Sequence, residues 1–220
     1  GSARTGEGTQ VWRNGDRYEG QFVDGKASGS GVFQFVNGDR YQGEWVDDQA
    51  CGQGVFSAKG GSCYAGQFFK DRQHGTGTEY WPDGRAYCGC YDRGLKHGDG
   101  RLSWADGCVY EGQFVQDALA GEGVHRWPDG RVYSGQFVNS AMQGRGTLRY
   151  PDGRRYEGEW RADKKHGEGT FIWPDGRLYA GEWRDGQRHG RGRSVQADGG
   201  EAYDGVWDHG RPLVEAAEGV

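Results

Sequence analysis

Cys88 and Cys90 are the first residues whose type and spacing could do chemistry. Thiolates hold zinc, and a structural zinc takes about four ligands. Two cysteines at i and i+2 on a strand point to one face, so they supply half a site, the other half coming from a second chain. Cys63 lies a repeat away on that face, Cys51 in a loop, and Cys108 on the opposite face, so no pair is placed for an intrachain disulfide. An odd number of cysteines, five, fits no closed disulfide framework and points to a reducing compartment. His74, His97, His166 and His189 each precede a Gly-x-Gly. They hold one position in neighbouring units, roughly 10 Å apart for two strands per unit, too far to share a metal. Their expected role is bracing a loop.

A basic group, Arg154, Arg155, Arg161, Lys164 and Lys165, could draw anionic lipid headgroups, at about 1 kcal/mol per basic residue near a membrane surface. Residues 145–193 carry 12 Lys/Arg against 8 Asp/Glu, whereas residues 194–220 carry 1 against 6. Interspersed acids weaken any basic field. A formal net charge of −5 argues against a nucleic-acid partner. No nucleophile stands with a base at a catalytic spacing. Gly-x-Gly recurs eight times with no helix after it, so it is no phosphate loop. The expectation is a protein that is not an enzyme and has no cofactor beyond a zinc shared between chains.

These residues sit on a strict repeat. Tyr18, Tyr41, Tyr64, Tyr87, Tyr110, Tyr133, Tyr156 and Tyr179 are 23 residues apart, and Tyr203 follows after 24. Four residues on from each stands Phe, Trp or Tyr, and 28 of the 30 aromatics fall into four such columns. Glycine makes up 44 of 220 residues and keeps the same period, while Leu and Ile total only seven. A helix-packed core is therefore excluded, and so is collagen, which needs glycine at every third position. No apolar run reaches the roughly 20 residues of a membrane-spanning helix.

Tyr156-Glu-Gly-Glu-Trp160, His166-Gly-Glu-Gly169 and Trp173-Pro-Asp-Gly176 resemble the MORN repeat, and the resemblance recurs in register from residue 6 to 211. It implies an array cut from a longer one, similar to the C-terminal part of long protozoan scaffolds made almost wholly of MORN repeats. It also implies a groove for a partner helix along the aromatic face, and, by another proposal for the family, phosphoinositide binding. The resulting division is a leader at 1–5 (Gly1-Ser2 reads as an expression scar), the second half of an earlier repeat at 6–17, eight repeats at 18–202, and an incomplete ninth with its tail at 203–220.

Tyr, Gly and the aromatic at i, i+2 and i+4 share one face of a strand. The Gly-x-Gly-x-Phe-x-Trp segment alternates in the same way. The fold class expected is all-β, an elongated single antiparallel meander sheet of 23-residue hairpins, with no helical domain. Trp173 and Tyr179 stay on one face only if Pro174-Asp175-Gly176 is a three-residue loop, a type I turn with a G1 bulge. The other connection, from Trp160 to Gly167, is expected to span six residues with those two opposite each other. Rings then lie over glycines, so Tyr133, Phe137, Tyr156, Trp160, Trp173, Tyr179 and Trp183 are groove or core residues, read mainly as structural, with direct ligand contact in a groove as the alternative. Glu79 and His125, standing where other repeats have Phe or Leu, mark either a polar break in the groove or, the favoured reading, positions near a wet edge.

Tyr203-Asp-Gly-Val-Trp207 begins a repeat that the following Arg211-Pro-Leu-Val leaves unclosed. A half-repeat lacking its partner strand invites a second copy. Tyr203, Trp207, Leu213 and Val214 are thus the expected interface of a tail-to-tail homodimer. The expected function is a cytoplasmic, non-catalytic scaffold at the cytoskeleton or cell cortex, with cytoskeletal or cortical proteins as partners. The alternatives are a peripheral membrane adaptor and a helix-binding adaptor.

Overall fold

A computed structural model describes residues 4–213. Among them, nineteen strands, from Gly6–Val11 to Arg211–Pro212, form one antiparallel meander, and no helix is present. Each full repeat gives a seven-residue strand bearing the tyrosine, such as Arg155–Arg161, and a nine-residue strand bearing the glycine pair, such as Lys164–Ile172. Burial alternates as the pattern demands: along Arg17–Val23, Tyr18, Gly20 and Phe22 are buried and their neighbours exposed. The chain divides into two units, Gly1–Asp106 with Phe114–Asp117, and Gly107–Gln113 with Ala118–Val220.

The Pro-Asp-Gly connection forms as expected. Gly176 N donates to Trp173 O at 3.0 Å, and Trp173 N donates to Arg177 O at 2.9 Å. Gly176 takes the left-handed conformation, with φ 91°, which glycine adopts without a Cβ penalty. Asp175 ties the turn by accepting from Arg177 N at 3.1 Å and from its Nε at 2.7 Å. The expected register follows: Phe171 opposite Tyr179, Gly169 opposite Gly181, and Gly167 opposite Trp183.

The other connection differs from expectation. Trp160 lies opposite Lys165, not Gly167, and the strands run on until Arg161 faces Lys164. Only Ala162 and Asp163 remain in the turn, at φ 46° and 65°. Two left-handed residues are the mark of a type I′ turn, whose twist matches that of the strands. The extra length is taken up by a bulge: Gly158 faces Gly169 but Glu159 faces His166. Two extra residues leave every side chain on its original face. A Glu or Gln side chain fills the gap in the ladder. Glu182 Oε1 accepts from Arg191 N at 2.8 Å, and Gln136 Oε1 does the same for Arg145 N at 3.1 Å. The turn is also held from the preceding repeat, with Asp163 Oδ1 accepting from Met142 N at 2.8 Å. Asp48 binds Ala27 N, and Asp71 binds Ala50 N, in the same way.

The core is a stack of rings on glycines. Tyr18, Tyr87, Tyr133, Tyr156 and Tyr179 are completely buried. The Tyr156 hydroxyl donates to Glu159 O, three residues on, at 2.9 Å, and Tyr179 repeats the bond with Glu182 O at 2.9 Å. Tyr156 meets Trp160 and Trp183 edge-on, both at 5.2 Å between centroids, a favoured geometry for aromatic pairs. The indoles are fixed too: Trp183 Nε1 donates to Gly169 O at 3.0 Å.

Candidate ligand-binding face

One face of the sheet carries the rings of the repeat, which divide by exposure; the opposite face carries Phe69 and Tyr80 in the first unit and is ring-free among the described residues of the second. Of the seven groove or core residues, Tyr133, Phe137, Tyr156, Trp160, Tyr179 and Trp183 are buried among themselves, as the structural reading expects. They are packing, and only Trp173 is half exposed. A second row, packed on Phe33, Phe56, His125 and Phe171, is reached by solvent. It comprises Trp12, Phe35, Trp81 and Trp104 in the first unit, and Trp127, Tyr150 and Trp173 in the second. An arginine covers several of them: Arg131 lies 5.0 Å from the Trp127 centroid and Arg154 4.7 Å from that of Tyr150.

Two polar residues interrupt the face. Glu79 is no edge residue. It is half buried opposite Tyr87 and accepts the Tyr91 hydroxyl at 2.8 Å. Burial first, and then the Glu79 charge, raise the Tyr91 pKa. His125 packs on Trp127 with centroids 4.3 Å apart.

A further column on this face is not visible from the sequence pattern, because it depends on the bulge. In seven of the repeats the residue opposite the strand's second aromatic is Ala27, Ala50, Gln73, Lys96, Met142, Lys165 and Arg188 in turn. Lys96 lies 4.9 Å from the Trp81 centroid and has a carboxylate, Asp117, at 3.4 Å. Lys165 Nζ lies 4.4 Å from the Phe171 centroid, 4.9 Å from that of Trp183 and 5.3 Å from that of Tyr156. Burial, aided by Arg154, lowers its pKa to about 8. Arg188 stacks 4.2 Å from the Trp207 centroid and donates to Gly210 O at 2.7 Å.

The five basic residues expected to form a lipid patch are therefore not one patch. Arg155, Arg161 and Lys164 alternate onto the ring-free face, and Lys165 points to the rings. Arg154 pairs with Asp152 at 2.7 Å and Arg155 with Glu157 at 3.3 Å. The tight turn at Ala162-Asp163 is what divides the group between two faces.

The expected dimer residues separate as well. The last repeat does turn back: Trp207 faces Pro212, and Asp208 faces Arg211. Tyr203 donates to Leu213 O at 2.8 Å. Trp207 is only 4% exposed, held by Gly192 O at 2.8 Å, so it belongs to its own chain's core. Leu213 is 54% exposed and Val206 46%. Val214 lies outside the described residues.

Cys88 and Cys90 face Thr78 and Thr76 on the face opposite the repeat rings, which Tyr80 shares, Cys88 exposed and Cys90 half buried. Among the described residues, no group of three or more His, Cys, Asp or Glu is placed to hold a metal ion. Two of the repeat histidines brace the next repeat, His74 lying 3.5 Å from Asp92 and His189 3.3 Å from Asp208.

The MORN repeat pattern matches residues 2–17, 18–40, 41–63, 64–84, 87–109, 110–130, 133–154, 156–176 and 179–201. The chain belongs to the MORN-repeat family. Comparison with curated proteins finds no match. Among solved structures, a mutant TCP10 domain of Danio rerio CPAP is 17% identical, with a TM-score of 0.44, over 90% of this chain and 99% of that one. The Drosophila melanogaster SAS-4 TCP domain, in complex with a proline-rich motif of Ana2, is 12% identical, with a TM-score of 0.44, over 80% and 90%. Similarity at this level does not bear on what the MORN chain binds.

Proposed function

We propose that this MORN-repeat chain is a non-catalytic scaffold that binds protein segments on its ring face. The carrying observation is the half-exposed row Trp127, Tyr150 and Trp173, packed on His125 and Phe171 beside the fully buried tyrosines. Rings fixed by a glycine-packed layer lose little freedom on binding, and aromatic anchors dominate many protein interfaces. The face offers rings and ring-stacked cations, which is the chemistry of recognition rather than of bond-making.

The scaffold also self-associates, as a tail-to-tail homodimer through the last repeat. The support is the exposed pair Val206 and Leu213, joined by the Leu213 N to Val206 O bond at 2.8 Å, beside an edge strand of only two residues. Placement in the cytoplasm, at the cytoskeleton or cell cortex, rests on the resemblance to all-MORN scaffolds. Anionic lipid is the weaker reading, because the basic residues fall on two faces and Arg154 and Arg155 have acidic partners.

Panning a displayed random-peptide library on the chain tests binding at the ring face. Peptides enriched on the wild type should bind Trp127→Ser/Trp173→Ser at least about tenfold more weakly, a loss of roughly 1.4 kcal/mol. Equal binding to both proteins would move the site off the ring face.

A further inference from the structure

The turn that braces each column residue supplies a counter-charge to only one of the column's three cations, Lys96. Lys96 has Asp117 at the second turn position of the following repeat, giving its backbone N an acceptor at 2.9 Å and its Nζ one at 3.4 Å. Met142 has Asp163 there, bonded to its backbone N. For Lys165 the corresponding residue is Gly186, and for Arg188 it is Gly210; each donates its backbone N to the carbonyl of the column residue at 2.9 Å, and Gly210 O also accepts from the Arg188 guanidinium at 2.7 Å. The two cations therefore have no carboxylate from the place where Lys96 finds one.

They also share a pocket. A cavity of about 350 Å³ in the second unit is lined by Lys165, Arg188, Phe171, Trp173 and Trp183, with His209 at its rim, and no acidic side chain lines it. Cations held on rings without a counter-charge make a site for an anion flanked by apolar surface. A guanidinium fork and an ammonium can take one carboxylate between them. The indoles can cover the stem that carries it.

We propose that the Lys165–Arg188 pocket takes the carboxylate of an Asp or Glu side chain within an acidic, apolar-flanked peptide of a partner protein. The proposal rests on the ring-face reading and names the chemistry of its occupant. Peptide is favoured over membrane because the cations lie among rings in a pocket of side-chain size. The basic residues free to meet a flat surface, Arg161 and Lys164, point from the other face.

Variants native to the architecture test it. Met142 occupies the same column position, so Lys165→Met/Arg188→Met keeps a side chain the fold already accepts. Gly186→Asp supplies the missing carboxylate from within; Asp117 holds that turn position at φ 68°, and a Cβ on Gly186 meets nothing within 4 Å. The same random-peptide library is panned on the wild type and both variants. Wild-type selection should enrich Asp and Glu beside apolar residues. The best such peptide should bind either variant at least about tenfold more weakly, and changing its acids to Asn or Gln should cost the wild type as much. Enriched peptides without acids, or unchanged binding to both variants, would overturn the proposal while leaving the ring-face reading standing. No enrichment on the wild type would overturn both. Sedimentation with phosphoinositide vesicles, lost in Lys165→Met/Arg188→Met while no acidic peptide binds, would assign the pocket to lipid and overturn the peptide. Acidic peptide that binds only after self-associated chains are diluted apart would assign the pocket to a second copy of this chain, and would overturn the partner peptide equally.

Discussion

The Tyr156 ring lies against Gly169 of the neighbouring strand so closely that a Cβ on Gly169 would overlap the ring and its hydroxyl. The pair recurs as Tyr133 on Gly146 and Tyr179 on Gly192. It explains why a chain poor in Leu and Ile has a core at all: glycine removes the atom that would keep the ring off the sheet.

Gly169 does not take a left-handed φ, so alanine there is strained by contact and not by backbone conformation. Overpacking of this kind costs about 1–3 kcal/mol. Gly169→Ala should lower the denaturant midpoint accordingly.

Alkaline pH should unfold the protein through these same tyrosines. Burial raises Tyr18, Tyr64 and Tyr179 from 10.0 to about 12. Between those values the unfolded chain has lost phenolic protons that the folded chain keeps, so stability falls as pH rises. Their contribution is whole below pH 10 and is lost towards 12. Tyrosinate absorbance should appear together with loss of the near-ultraviolet circular dichroism, not ahead of it.

An oxygen at the residue after Tyr-x-Gly braces the bulge in most repeats, although the bulge also forms at Cys90 without one. Gln136→Ala leaves the Arg145 amide without its 3.1 Å acceptor and should cost about 1 kcal/mol, in the range of a single lost hydrogen bond. Gln136→Glu should be close to neutral, because Glu182 performs this task for Arg191. Thermal melts of the two variants provide the comparison.

The register of Phe171 on Tyr179 was legible because a period of two and a Pro-Asp-Gly loop together admit one parity. The turn at Ala162-Asp163 was not. It carries neither Asn-Gly nor Asp-Gly, and its left-handed residues are held instead by a carboxylate bond to Met142 in the preceding repeat, a contact 21 residues away. That turn sends Lys165 to the ring face and builds the column it shares with Lys96 and Arg188. The faint signal was in the sequence: an Asp 21 residues after Lys96, and a Gly 21 residues after Lys165.

The same turn yields a stabilising change. Ala162 holds φ 46°, a conformation that costs an L-residue roughly 1–2 kcal/mol. Ala162→Gly should recover part of this and raise the melting temperature, offset by glycine's greater freedom in the unfolded chain.

Self-association should read out at the last repeat. Light scattering of the wild type should give twice the 24.3 kDa chain mass, falling to the monomer in Val206→Ser/Leu213→Ser. Those side chains are exposed, so the change leaves the buried Trp207 in place. A monomeric wild type would rule out the homodimer.

Photo-crosslinking from the two faces tests most directly whether the ring face is the binding face. A photoreactive phenylalanine analogue is placed at Tyr150 on the ring face, and in a second protein at Thr170 on the other. Each is irradiated with the library-selected peptide. The predicted result is a crosslink from position 150 and none from 170. A crosslink from 170 alone would contradict it and place binding on the ring-free face.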